Sequence, residues 1–176
     1  MTATINVTED AAMAALIALL QALMPAGTTV LSGQQNFVAL PEGQCIICTP
    51  IDRVQLDKPY REYDRMNQAA STLASKEWRV QLDVYGDSAA DNASMIATAF
   101  SSAIATEFFS SANAPIQALY ADTPQNMQFI NESSNYENRW RVDVHLQINE
   151  SVTMPQEFAE HLDVGLHEVD TTYPPQ

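Results

Sequence analysis

The chain has 176 residues, 46% of them hydrophobic, which is enough for one compact domain with a buried core. Eight Lys and Arg against 22 Asp and Glu give a net charge of −14. This balance excludes nucleic-acid binding by phosphate neutralisation, which requires clustered basic residues. The apolar run at residues 11–24 is shorter than the roughly 20 residues of a membrane span, and acidic residues precede it, unlike a signal peptide. We therefore expect a soluble protein made in a cytoplasm.

The first predicted element is a helix over residues 8–24. Thr8 supplies a capping hydroxyl, and Glu9 and Asp10 place carboxylates near the positive end of the helix dipole. Its apolar residues recur at helical spacing, whereas its other face is mostly alanine (Ala11, Ala14, Ala15, Ala18 and Ala22). An alanine face allows a second backbone to approach closely. We expect it to be covered, either by the chain's own fold, which is the favoured reading, or by a neighbouring subunit.

Residues 37–40 predict a short strand, and residues 45–51 predict a longer one rich in β-branched side chains. The segment 52–76 is long, mixed in charge and free of glycine, so it predicts the projecting tip of a long hairpin that pairs residues 49–56 with residues 70–85. Its basic residues are Lys58, Arg61 and Arg65, and its neighbouring acidic residues are Asp57, Glu62 and Asp64. This local balance predicts a salt-bridged, solvated or interfacial loop.

Two strands with the same pattern follow. In residues 78–86, Trp78, Val80, Leu82 and Val84 alternate with Arg79, Gln81, Asp83 and Tyr85. Residues 140–148 repeat the pattern in the same phase, again with Trp followed by Arg. Period-two alternation is typical of strands with one face on a core. Trp78 and Trp140 are therefore predicted core anchors.

One long helix is predicted between these strands, over residues 88–112, with a capping-box-like relation between Ser88 and Asp91. Its apolar stripe is Ile96, Phe100, Ile104 and Phe108. Residues 116–125 predict a loop and residues 126–130 a short strand.

The resulting fold class is α+β: a mostly antiparallel β-sheet with a long hairpin, flanked by two α-helices packed on one face. Residues 1–150 form the predicted domain, and residues 151–176 form an acidic C-terminal extension.

No constellation of catalytic, metal-binding or cofactor-binding residues is found in the sequence. Cys45 and Cys48 fit a CxxC spacing, but on a strand they point to opposite faces, which favours buried core thiols. Asp143 and His145 share a strand face with Arg141 but have no accompanying nucleophile motif. We therefore expect a polar solvent or interface face, no metal, no cofactor and no enzymatic activity.

Four stretches form a recognisable pattern of strands and turns. They are residues 78–86 with Asp87, Ser88 and Ala89, residues 138–143, residues 146–149 and residues 152–155. Over roughly residues 35–155 the chain resembles the neck or tail terminator family of tailed bacteriophages. The resemblance implies a small α+β subunit of a ring, typically of six, that ends the tail tube and meets the neck and head.

This resemblance also implies the partners: further copies of the chain, the tail tube protein and neck or connector proteins. DNA would pass through the channel without specific binding, and no membrane is involved. The location would be the virion tail or neck, after assembly in the host cytoplasm. Candidate contacts between subunits or with the tube are Lys58, Arg61, Arg65, Arg79, Asp83, Arg141 and Asp143. Arg79 and Arg141 are predicted to pair with carboxylates across the interface.

Two other functions stay open from the sequence. One is a neck connector, such as a stopper beneath the portal, or a tail-completion protein. The other is an acidic binding module that mimics nucleic acid, which fits the charge of −14 but leaves the apolar helix faces unexplained.

Overall fold

The computed structural model describes residues 2–33, 41, 43–127, 129–130, 136–159 and 164–165. Its helices are α1 (Glu9–Leu23), α2 (Ala89–Phe100) and α3 (Ala103–Ser111). Its strands are β1 (Thr4–Ile5), β2 (Thr29–Ser32), β3 (Cys45–Gln55), β4 (Tyr60–Asp64), β5 (Ala69–Tyr85), β6 (Ile116–Ala121), β7 (Gln125–Asn126), β8 (Phe129–Ile130), β9 (Tyr136–Glu137) and β10 (Arg139–Pro155). The strand predicted at residues 37–40 lies outside the described residues.

Eight of the described strands form one sheet, with the order β1-β10-β5-β3-β2. Strand β4 pairs with β5, and β6 and β7 pair with β10. Within this sheet only the pair of β2 and β3 is parallel. Strands β8 and β9 form a separate two-stranded hairpin. The predicted α+β class with a mostly antiparallel sheet is confirmed.

The two strands led by tryptophan lie side by side at the centre of the sheet. In the antiparallel pair of β5 and β10, Trp78 is opposite Leu146 and Trp140 is opposite Val84. The apolar faces of both strands therefore join into one core surface. Trp78 is almost fully buried there, and Trp140 is partly buried against the same core. The predicted anchoring role of Trp78 is confirmed.

Helix α1 begins as predicted, because the Thr8 hydroxyl accepts a hydrogen bond of 3.2 Å from the Ala11 backbone amide. Leu16 and Leu20 are fully buried on its inner face. On the outer face, which we expected to be covered, Ala11, Ala14, Ala18 and Ala22 are exposed. Among the described residues nothing of the chain's own fold covers this face, so the favoured prediction is wrong there, since one side of the helix suffices to reach the sheet and the neighbouring helices.

The single long helix predicted between the tryptophan strands is wrong. The chain forms two helices, and Ser102 separates them by adopting an extended conformation and accepting a hydrogen bond from the Ile104 amide. The break rotates the apolar stripe, so that Phe109 is buried and Ile104 is half exposed. The predicted capping box is also absent, since the Ser88 side chain forms no capping hydrogen bond.

The region predicted as a loop at residues 116–125 is also different in the structure. Residues 116–121 form β6, which pairs with β10 through Ile116 opposite Ile148. Burial of Ile116 against the core favours this edge strand. The short strand predicted at residues 126–130 corresponds to parts of β7 and β8, which are separate. Strand β10 continues across the predicted domain boundary as far as Pro155, while the extension beyond it stays a prediction.

The predicted long hairpin is confirmed and is longer than expected. Strands β3 and β5 pair from Cys45 opposite Tyr85 to Gln55 opposite Lys76. Beyond this point β4 pairs with the start of β5, and every residue of β4 is exposed. We call residues 52–76 the hairpin arm. The second half of β10 runs along this arm, with Met154 opposite Ala70.

Candidate assembly surfaces

The polar face of the two tryptophan strands is held together by ion pairs within the chain. This polar face comprises Arg79, Gln81, Asp83, Arg141, Asp143 and His145. Arg139 donates hydrogen bonds of 2.8 and 3.1 Å to one carboxylate oxygen of Asp83. Arg141 donates to both oxygens of Asp143 at 2.9 and 2.7 Å. Both carboxylates are buried and have lost most of their hydration. The paired arginines compensate for that loss.

His145 lies in the same face among acidic and aromatic neighbours. Its Nδ1 is 2.6 Å from Glu77 Oε1, and its ring stacks on Tyr120 with centroids 4.1 Å apart. Its Nε2 lies 3.5 Å from an Asp122 carboxylate oxygen without a hydrogen bond. Burial and then the Glu77 carboxylate raise the pKa of Tyr120. The arrangement packs and orients the imidazole, and within the described residues no nucleophilic side chain is bonded to it.

The predicted contacts Arg79 and Arg141 therefore have partners inside the subunit. Arg79 donates a hydrogen bond of 2.6 Å to Asp52. The hydrogen bond to Asp143 is the main cause that raises the pKa of Arg141. A cleft of about 270 Å³ lies between Arg79, Arg141 and Asp122. Pairing of either arginine across an interface stays a prediction, and it would require the arginine to exchange or share its present carboxylate.

The hairpin arm holds two kinds of basic residue. Near the body, Arg53 and Lys76 both contact Glu150, at 3.0 and 2.5 Å, and Arg53 also contacts Glu9. Glu150 is buried and was not found by sequence analysis. The available signal was its position, since it interrupts the apolar alternation of β10 on the core side.

Towards the tip, the arm's cations are exposed. Arg61 donates a hydrogen bond of 2.9 Å to the Gln156 side chain. Among the described residues, Lys58, Arg61 and Arg65 have no carboxylate within 4.0 Å. Asp64 instead accepts hydrogen bonds from Asn67, which lower the pKa of its carboxyl group. Of the predicted alternatives for this loop, local salt bridging is thus not found in the described part, and its three cations remain available.

One face of the hairpin arm forms a groove where the sheet extends beyond the helices. The groove encloses about 350 Å³. It is lined by Gln55, Pro59, Arg61, Ala70, Thr72, Ala74, Lys76, Glu150, Val152 and Met154. Small side chains form its floor, and Val152 and Met154 are 37% and 42% exposed along it. We call this surface the arm groove; it continues the core face of the sheet. Among the described residues, Gln156 and Phe158 contact Arg61 and Tyr63 at its tip, where Ala70 is buried.

Large apolar side chains are exposed elsewhere on the arm as well. Tyr60, Tyr63 and Met66 are 53%, 61% and 97% exposed. Tyr60 and Tyr63 alternate to opposite faces of β4, so the arm exposes apolar side chains on both of its faces. The sequence predicted an interfacial loop from its charges but did not identify these residues as the apolar part of that surface.

Both cysteines lie in the interior of the protein. Cys45 and Cys48 are both buried, as predicted. Burial raises the pKa of Cys48 to about 12.

Within the described ranges no group of three or more His, Cys, Asp or Glu side chains is placed to hold a metal ion. None of the described helices is long and apolar enough to cross a membrane.

A small α+β subunit with a projecting arm and an ion-paired polar face was compared with known proteins. The model of a family described as phage neck terminator protein matches residues 14–172. The chain belongs to the phage neck terminator family. As a member of this family it is a structural component of the phage neck or tail that acts as a terminator. The resemblance inferred from the two tryptophan strands is confirmed.

A solved structure supports the fold of this neck terminator. The chain is similar to the sheath/tube terminator of an extracellular contractile injection system, PVC, in the extended state, with a TM-score of 0.54 and 10% identity. The match covers 94% of this chain and 65% of that chain. At this identity the likeness concerns the fold. No curated protein gives a significant sequence match.

Proposed function

We propose that the neck terminator assembles into a homo-oligomeric ring, with six subunits as the expected number, on the head-proximal end of the tail tube. The ring stops tube growth and joins the tail to the neck and head. The observation that carries this proposal is the family match over residues 14–172. The partners are further copies of the chain, the tail tube protein and neck proteins, and assembly takes place in the host cytoplasm without a catalytic step.

The surfaces of the subunit support a ring. The arm groove and the exposed alanine face of α1 are two different surfaces that are accessible among the described residues. Contact between two different surfaces of identical subunits is heterologous, and such contacts close into rings when the rotation between subunits permits it. The cations at Lys58, Arg61 and Arg65 can contribute to contacts with a neighbour or with the tube.

The acidic charge supports a channel that DNA traverses without binding. A net charge of −14 repels phosphates, and screening limits this effect to a range of about 8 Å at physiological salt. Carboxylates facing the channel thus act only on DNA that passes close to the wall. Substituting several of them with Lys should slow DNA ejection, whereas unchanged infectivity of such variants would contradict this part of the proposal.

The proposal is tested by producing phage without the neck terminator. The expected particles are DNA-filled heads and separate tails whose tubes vary in length, measured by negative-stain microscopy. Addition of purified protein should make these tails competent to join heads. If the purified protein instead binds heads and not tails, the function is that of a connector or stopper. Tails of normal length in its absence would contradict a terminating role.

A further inference from the structure

The charges of the neck terminator are divided unequally between the arm and the rest of the chain. Residues 52–76 contain five Lys and Arg and four Asp and Glu, a net charge of +1. The remaining residues contain three basic and eighteen acidic residues, a net charge of −15. The arm of one copy is therefore attracted to the body of another copy, and such complementarity fixes the register of association.

Within the arm, two of the basic side chains lie on the groove face. By strand register Arg61 is opposite Thr72, and both line the arm groove together with Lys76. Glu62 and Asp64 alternate to the opposite face of β4. The groove therefore combines the Arg61 guanidinium and the ion pair of Lys76 and Glu150 with a floor of small side chains and an apolar rim.

The helix layer has the complementary character. Helices α1, α2 and α3 contain no Lys or Arg. Their exposed carboxylates include Asp10, Asp91 and Glu107, none of which has a cationic partner among the described residues. The outer surface of these helices also includes the exposed alanines of α1 together with Met95 and Ile104, which are 43% and 50% exposed.

The body end of the arm groove adjoins the helix layer of the same chain. Arg53 in the arm contacts Glu9 in the first turn of α1 at 3.1 Å. Arg53 also pairs with Glu150, which lines the groove, so this contact joins the body end of the groove to α1. The contact of Arg53 with Glu9 is an ion pair between an arm cation and a helix carboxylate within one chain. The same kind of pair can form between the arm of one copy and the helices of a neighbour.

We infer that the arm groove of one neck terminator docks on the helix layer of the next copy. The inference rests on the proposed ring and names the two surfaces that form its subunit contact. The arm cations Lys58, Arg61 and Arg65 lie against the helix carboxylates of the neighbour. The apolar rim at Val152 and Met154 covers the alanine face of α1. Because the two surfaces differ, each subunit contacts one neighbour through its arm groove and the other neighbour through its helix layer.

Two charge-reversed variants test this contact. The arm variant carries Lys58→Glu, Arg61→Glu and Arg65→Glu, and the helix variant carries Asp10→Lys, Asp91→Lys and Glu107→Lys. Neither breaks an ion pair within the described residues. Each variant alone should lose self-association by on the order of a hundredfold, because like charges then face each other. Sedimentation velocity over a range of concentrations measures the loss, and thermal unfolding verifies that each variant is folded.

The mixture supplies the decisive comparison. Mixed in equal amounts, the two variants should associate again, since each arm then meets a helix layer of opposite charge. A chain carrying all six reversals should associate alone. The matched control, Lys58→Arg, Arg61→Lys and Arg65→Lys, keeps the charge and should associate like the wild type.

Several results would overturn the inference. They are wild-type association by either reversed variant alone, no recovery in the mixture, and a wild-type chain that stays monomeric at every concentration. The first two leave the proposed function intact, because the ring would close through other surfaces. The proposed function is judged separately, on the length of tails made without the protein.

Discussion

Arg141 lies two residues before Asp143 on the same strand and donates hydrogen bonds to both of its carboxylate oxygens, at 2.9 and 2.7 Å. The two side chains point to the same face because strand side chains alternate with period two. The Asp143 side chain is 7% exposed and that of Arg141 is 35% exposed. The acid therefore depends on the arginine for its solvation, whereas the arginine can reach water.

This asymmetry predicts unequal effects on stability. Arg141→Ala leaves a buried carboxylate without its cation and should lower the free energy of unfolding by about 1–3 kcal/mol. Asp143→Ala should cost less, since the released guanidinium turns to solvent. Urea unfolding of both variants measures the difference. A larger loss for Asp143→Ala would show that the pair does not protect the acid.

The two tryptophans should also differ. Trp78 is 1% exposed, whereas Trp140 is only partly buried against the core. Trp78→Ala should lower the free energy of unfolding by about 3–5 kcal/mol, as large aromatic deletions from cores do. Trp140→Ala should cost clearly less. Equal losses in urea unfolding would contradict the different burial of the two rings.

Gly86, between β5 and α2, has a φ of +108°. A Cβ at this position would lie 2.9 Å from Gln44 Cγ and 3.1 Å from Gln44 Cα. Gly27 has a φ of +94° but nothing within 4 Å of its Cβ position. Alanine at either position should cost about 1–3 kcal/mol of backbone strain. Gly86→Ala should cost more because of the added clash, and thermal unfolding of both variants provides the comparison.

Cys48 predicts a dependence of stability on alkaline pH. Burial raises its pKa from 9.0 to about 12, so the folded state disfavours the thiolate. The resulting stabilisation is complete below pH 9 and is lost as the pH rises from 9 towards 12, where the unfolded chain ionises first. Unfolding free energies of the wild type and Cys48→Ala should therefore converge over this range. A constant difference between them would contradict the assigned cause.

Elements with strong local signals could be predicted from the sequence. Thr8 and Pro25 bound α1 within a residue or two, and the repeated tryptophan pattern located the central strand pair. The break between α2 and α3 could not be predicted, because serine is compatible with a helix interior as well as with a cap. Strand β6 was missed because Ala118 and Ala121 obscure any alternation of apolar and polar residues.

The sequence predicted which types of residue form the candidate assembly surfaces, but not which residues pair with one another. The charges of the hairpin arm were visible in the sequence, as was its projection. The contact between Arg53 and Glu150 joins positions 97 residues apart, and it depends on the register of three strands. Local patterns do not fix such a register. The exposed alanine face of α1 likewise depends on how many elements cover the helix, which only the fold determines.

Ring formation on the end of the tail can be seen directly by cryo-electron microscopy of tails made without the protein and then incubated with it. We expect a ring at the head-proximal end only, with density for six chains of 19.4 kDa each. Binding of single copies along the tube, or no density at the tube end, would contradict the proposed ring.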